Sequence, residues 1–103
     1  MQMGRIKVFI SQPMHGLSEE YIKTVRGFAK EDIEDQFDGN AKVLNTLIEF
    51  NSHSHSPIYN LGKSIEMLSK ADYAYFCPGW QDYRGCRIEH QICVDYDIKI
   101  MRD

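Results

Sequence analysis

The sequence predicts a small α/β domain, a flavodoxin-like or Rossmann-like three-layer sandwich with about four parallel strands and three helices. Three observations carry that prediction. Strand-like and helix-like segments alternate along the chain. Asp72–Cys77 is an almost unbroken apolar and aromatic run, as expected of a strand covered on both faces. Clusters of Pro, Gly, Ser and Asn mark the changes of period. The 103 residues, 43% hydrophobic and 26% charged, suit one globular domain spanning 1–103, near the lower end of comfortable single-core sizes.

In chain order, Arg5–Ile10 reads as the first strand and runs into the turn-rich loop Ser11–Gly16. Ser18 offers a helix N-cap, and Glu19 and Glu20 favour the first turn, where the helix dipole stabilises acids. Ile22, Val25, Ala29 and Ile33 continue that helix to about Phe37, and Asp38-Gly39-Asn40 ends it. Ala41–Ile48 is a second strand with an irregular end, and Asn51–Ser56 is a polar loop. Pro57 suits the first position of a second helix, whose stripe is Ile58, Leu61, Ile65 and Leu68 and which ends near Lys70. Asp72–Cys77 is the third strand, stopped by Pro78-Gly79. A third helix opens around Gly85, with Ile88, Ile92 and Tyr96 along one side, and Ile98–Met101 closes the chain as a short strand. A parallel sheet in this β-α-β-α-β-α-β order binds ligands beyond the carboxyl ends of its strands. The segments there are Ser11–Gly16, roughly Glu49–Ser56, and Pro78–Arg84.

Composition narrows the function classes. A net charge of −3 argues against coating a nucleic-acid polymer, which calls for a basic stripe. No apolar run approaches the roughly 20 residues that span a bilayer, and Met1–Arg5 leads into a strand rather than a signal peptide. Cys77, Cys86 and Cys93 are odd in number and lack metal-knuckle spacing, which fits reduced, partly buried thiols in a cytoplasmic protein. A thin domain gains stability by burying one face against a copy of itself, so a homodimer or larger homo-oligomer is expected. No cofactor is expected: the first loop has neither a G-x-G-x-x-G nor a Walker pattern. No metal is expected either, because His53 and His55 lack a third ligand.

Glu89 is the leading candidate residue. On a helix it shares a face with Cys86 and Cys93, and its neighbours Ile88 and Ile92 are apolar. A desolvated carboxylate there would serve as nucleophile or general acid/base. The competing reading is a surface glutamate paired with Arg87 or Lys99, and spacing alone does not separate the two. Arg84, Gly85 and Arg87 at the same helix start suit an anion, or are solvated arginines. Trp80 and Tyr83 either stack on a nucleobase or cover a core or oligomer edge. Asp72 reads as a cap at the start of its strand. Ser11, Gln12, Pro13 and Gly16 lie at the ligand edge as candidate substrate contacts, although Ser11 and His15 are too weakly placed to support a nucleophile–base pair.

The opening "KVFISQPMHG" (Lys7–Gly16), the middle "NLGKSIEMLSKAD" (Asn60–Asp72) and the ending "GWQDYRGCRIEH" (Gly79–His90) resemble the nucleoside 2-deoxyribosyltransferase-like superfamily. They are most similar to its short DUF4406 branch, which is frequent in phages and bacteria. The resemblance runs from about Ile6 to Ile100, and its C-terminal motif is the most specific part. In the characterised transferases a glutamate four residues after a helix-opening glycine is the nucleophile, and Gly85 and Glu89 keep that spacing. The resemblance thus implies that Glu89 attacks the anomeric carbon of a deoxynucleoside and expels the base, as in a retaining glycosidase. It also implies that Asp72 lies near the substrate. Tyr83 stands where these enzymes carry a sugar-holding aspartate, with Asp82 one place further back, so Asp82 is the candidate replacement. Arg84 and Arg87 suggest a nucleotide or other phosphorylated ligand, as in the nucleotide N-glycosidase relatives. The function expected is cleavage or transfer at the N-glycosidic bond of a nucleoside or nucleotide. The alternative is a non-catalytic protein that senses or sequesters a nucleotide.

Overall fold

In the computed structural model, which describes residues 5–44 and 56–102, the chain forms a four-stranded parallel sheet with three helices. Strand β1 (Ile6–Ser11) leads to α1 (Glu19–Phe37), β2 (Ala41–Val43), α2 (Pro57–Leu68), β3 (Tyr73–Phe76), a 3-10 turn at Trp80–Asp82, α3 (Arg84–Asp95) and β4 (Lys99–Arg102). The strands lie in the order β2-β1-β3-β4. Ile6 pairs with Ala41 on one side of β1, and Ser11 pairs with Phe76 on the other. The polar loop with His53 and His55 and the end of the expected second strand lie outside the described residues.

Alternation along the strands sorts the core into two layers. Val8, Ile10, Tyr75 and Cys77 face α1, where they meet Val25, Ala29, Ile33 and Phe37. Phe9, Ala74 and Phe76 face the other way, against Leu68 of α2 and Ile92 and Cys93 of α3. Local signals set the helix boundaries. Ser18 Oγ accepts from the Tyr21 N–H at 3.0 Å, Ser56 Oγ accepts from the Tyr59 N–H at 3.2 Å, and Pro57 opens α2. α1 stops where Asp38 turns into the left-handed region.

Two expectations change. α3 buries Cys86, Glu89 and Cys93, at positions i, i+3 and i+7, rather than the side bearing Ile88 and Tyr96, both of which are exposed. α1 buries Arg26 along with its apolar stripe. The guanidinium reaches past the helix to donate to the Leu44 carbonyl at 3.1 Å, which a helical-period reading of apolar residues does not anticipate.

The connections place the ligand crevice. From β1 the chain crosses by α1 to β2, then returns by α2 over the opposite face to β3 on the far side of β1. The order therefore reverses between β1 and β3. The carboxyl ends of those two strands, at Ser11 and Cys77, flank the crevice where doubly wound sheets bind ligands.

Candidate active site

Ser11 is the last residue of β1, and alternation turns its side chain toward the α2/α3 face with Phe9. β3 holds the neighbouring backbone in register, with the Cys77 N–H donating to the Ser11 carbonyl at 3.0 Å. After β3, Gly79 takes a positive φ of 86°, a conformation that costs glycine little, and the 3-10 turn delivers the chain to α3. The first turns of α3 thus lie at the carboxyl edge of the sheet, and Glu89 points inward.

The two residues meet there. Ser11 Oγ donates to Glu89 Oε1 at 2.6 Å, and the side chains are 1% and 6% exposed. Burial pushes the Glu89 carboxyl up from 4.5 to about 7, against the pull of the Ser11 hydrogen bond, which favours the charged form. Desolvation outweighs the single donor. The result is a carboxyl that exchanges its proton near neutrality, suited to acid/base work or, when ionised, to nucleophilic attack.

This geometry removes the salt-bridge reading of Glu89. Arg87 donates to the Gln81 carbonyl at 3.0 Å, and the Lys99 ammonium lies over the Tyr73 ring, 5.6 Å from its centroid.

The three cysteines are all buried thiols. Cys86 is buried on the face of α3 that carries Glu89. Burial pushes Cys86 and Cys93 up to about 11, with the Glu89 charge adding to both. Burial likewise pushes Cys77 up to about 12, with Arg26 pulling it back. All three stay protonated at neutral pH, as inert thiols rather than nucleophiles.

The remaining candidates divide by position. Gln12 and Pro13 are buried beside Ser11, and Gln12 Nε2 donates to the Ile22 carbonyl of α1 at 2.6 Å. Gln12 Oε1 has no partner among the described residues. Gly16 is exposed, in a turn closed by the Leu17 N–H on the Met14 carbonyl. Arg84 and Arg87 are exposed in the first turn of α3, and Tyr83 is half-buried at its N-cap without a side-chain capping bond. Gly85 packs toward Leu61 of α2. Asp82 is exposed in the 3-10 turn. Trp80 stacks flat on His90, with centroids 4.2 Å apart, and packs against Phe76, so one indole face is already occupied.

Asp72 does not join Glu89. Its Oδ2 accepts from the Lys7 N–H at 2.8 Å, and its own N–H donates to the Lys7 carbonyl, at the amino end of the sheet. Ser11 lies four residues beyond Lys7 along β1, roughly 13 Å along a strand. The capping role read from its position describes it; the substrate contact implied by the resemblance is not where this carboxylate lies.

Two surface hollows, of about 460 and 410 Å³, flank α1. Their linings, Glu19, Glu20, Lys23 and Thr24 in one and Val25, Phe28, Asp32, Tyr75 and Pro78 among others in the second, include neither Ser11 nor Glu89. Among the described residues no group of three or more His, Cys, Asp or Glu could hold a metal, and no helix is long and apolar enough to cross a membrane.

Sequence reasoning missed the serine–glutamate bond, which joins residues 78 positions apart. Among comparisons with known proteins, one family model matches residues 6–102, the domain of unknown function DUF4406. No curated protein and no solved structure matches the chain.

Proposed function

The chain belongs to the DUF4406 family, and we propose that it processes nucleosides or nucleotides at the N-glycosidic bond, with Glu89 as nucleophile. The observation that carries this reading is the buried Ser11–Glu89 pair at the sheet's switch point. The Gly85–Glu89 spacing shared with the transferases the sequence resembles adds to it. In this mechanism the ionised Glu89 attacks the anomeric carbon as the C–N bond to the base breaks. The base leaves with the bonding pair and takes up a proton. Water or a second base then displaces the carboxylate from the sugar.

Ser11 holds the attacking carboxylate and stabilises its charged form, while burial raises its basicity. Arg84 and Arg87, beside the N-terminus of α3, suit a 5′-phosphate. Alanine at both should abolish any preference for a 5′-monophosphate over its nucleoside, and an unchanged preference would remove the phosphate from the proposal.

The test of the reaction is incubation with deoxynucleosides and 5′-nucleotides, followed by chromatography for released or exchanged base. Glu89→Gln should abolish turnover while the protein stays folded, and turnover that survives the substitution would sink the nucleophile.

The second reading is a protein that binds a nucleotide without turning it over. What favours it is the placement of the other acids: Asp82 is exposed and Asp72 caps the opposite end of the sheet. It predicts a ligand-induced thermal shift with the ligand recovered intact.

A further inference from the structure

Gln12 is the first residue beyond β1, and Pro13 follows it. A residue before proline favours extended backbone, so the alternation of the strand runs one place past Ser11. Ser11 turns onto α3, and Gln12 turns the other way, onto α1. There its Nε2 donates to the Ile22 carbonyl at 2.6 Å. Only the nitrogen of an amide can donate to a carbonyl, so this bond fixes which end of the side chain is the oxygen. No described residue donates to that oxygen, Oε1. The side chain is 7% exposed, almost as deep as Glu89 at 6%.

A buried acceptor without a donor has given up its hydration for nothing, and native structures keep few of them. What Gln12 Oε1 lacks is an O–H or N–H. We propose that Gln12 Oε1 reads the sugar of a bound nucleoside or nucleotide, accepting a hydrogen bond from its 2′ or 3′ hydroxyl.

The inference rests on the reading of the crevice as a nucleoside site with Glu89 at the anomeric carbon. A displacing nucleophile approaches opposite the departing base, so the base lies across the sugar from Glu89. In a β-D-ribonucleoside the 2′ and 3′ hydroxyls occupy that same face, opposite the base, and the 5′ carbon is on the base's own face. Ser11 holds Glu89, and the Gln12 Cα follows that of Ser11 by about 3.8 Å. Gln12 therefore belongs to the nucleophile's side, where the ligand presents ring hydroxyls rather than base amines.

The test compares dissociation constants, by calorimetry on the full protein, for the ribo, 2′-deoxy, 3′-deoxy and 2′,3′-dideoxy forms of adenosine, guanosine, cytidine and uridine. Where a form is turned over, Glu89→Gln provides the binding background. A form carrying the hydroxyl that is read should bind about tenfold more tightly than its dideoxy counterpart. Gln12→Met keeps the length of the side chain without its acceptor. It should remove that ratio and leave the dideoxy form bound nearly as before. A merely structural role, through the lost bond to Ile22, would weaken every form alike. The proposal is overturned if no form binds, if the hydroxyls make no difference, if their effect survives Gln12→Met, or if all forms weaken equally.

Should Gln12→Met fail to fold, the carbon NMR resonance of the Gln12 side-chain carbonyl serves in the unsubstituted protein. It should move downfield with the hydroxylated form and not with the dideoxy form, and an equal response to both overturns the proposal. Hydroxyl discrimination that depends on Gln12, with the ligand recovered intact, keeps this proposal and discards turnover. Base release with discrimination untouched by Gln12→Met does the reverse.

Discussion

At the scale of single residues, Glu89 sets burial against a hydrogen bond, and burial wins. The outcome has a sign in stability. The folded carboxyl holds its proton more tightly than the unfolded one, so the native state is favoured below about pH 4.5. It loses that contribution as the pH rises to about 7. A displacement of this size corresponds to about 3 kcal/mol. Denaturant melts of wild type and Glu89→Gln from pH 4 to 8 should therefore diverge. The wild type weakens across the window, the variant stays nearly level, and above pH 7 the variant is the more stable. Parallel curves would mean that the carboxyl is not desolvated. If Glu89 is the nucleophile, turnover should rise with pH through about 7, because only the ionised form attacks; a general acid would give the opposite limb. Part of this site is legible in the sequence, since the spacing of Cys86, Glu89 and Cys93 defines one face of a helix. Its partner is not, because nothing local in "FISQPM" says which face of which helix will cover Ser11.

At the scale of elements, boundaries follow local chemistry and are correspondingly legible. Ser18 and Ser56 cap the helices that their sequences announce, and Gly79 makes the turn that Pro78-Gly79 implies. Asp72 shows what such signals are for. Its carboxylate ties the start of β3 to the Lys7 backbone of β1, which sets the register that places Ser11 opposite Phe76. Asp72→Ala should cost about 1 kcal/mol in a denaturant melt and leave the Glu89 titration where it is. A displaced titration with stability unchanged would instead give Asp72 a part in the site. α1 is less legible. Arg26 occupies a buried position because its stem packs like an apolar side chain while its head finds the Leu44 carbonyl, and only the folded chain brings that acceptor within reach.

At the scale of the whole molecule, the alternating pattern carried the fold class, because a parallel sheet with helices on both faces has few ways to bury such a sequence. The strand order and the switch point came only with the structure, since both depend on which face each helix chooses. The three thiols report on that architecture as a unit. Cys77 lies in the α1-side layer and Cys93 in the layer under α2 and α3, while Cys86 sits at the site. All three should react with a thiol reagent together, at the rate of global unfolding. An early-reacting cysteine would show that its layer opens on its own. One more feature gives the molecule a built-in signal. Trp80, the single tryptophan of the chain, lies flat against His90, the residue next to Glu89. Its fluorescence therefore has one origin, against the immediate neighbour of Glu89. Any ligand that enters over α3 or parts indole from imidazole can be followed by emission alone, with no label and no turnover required.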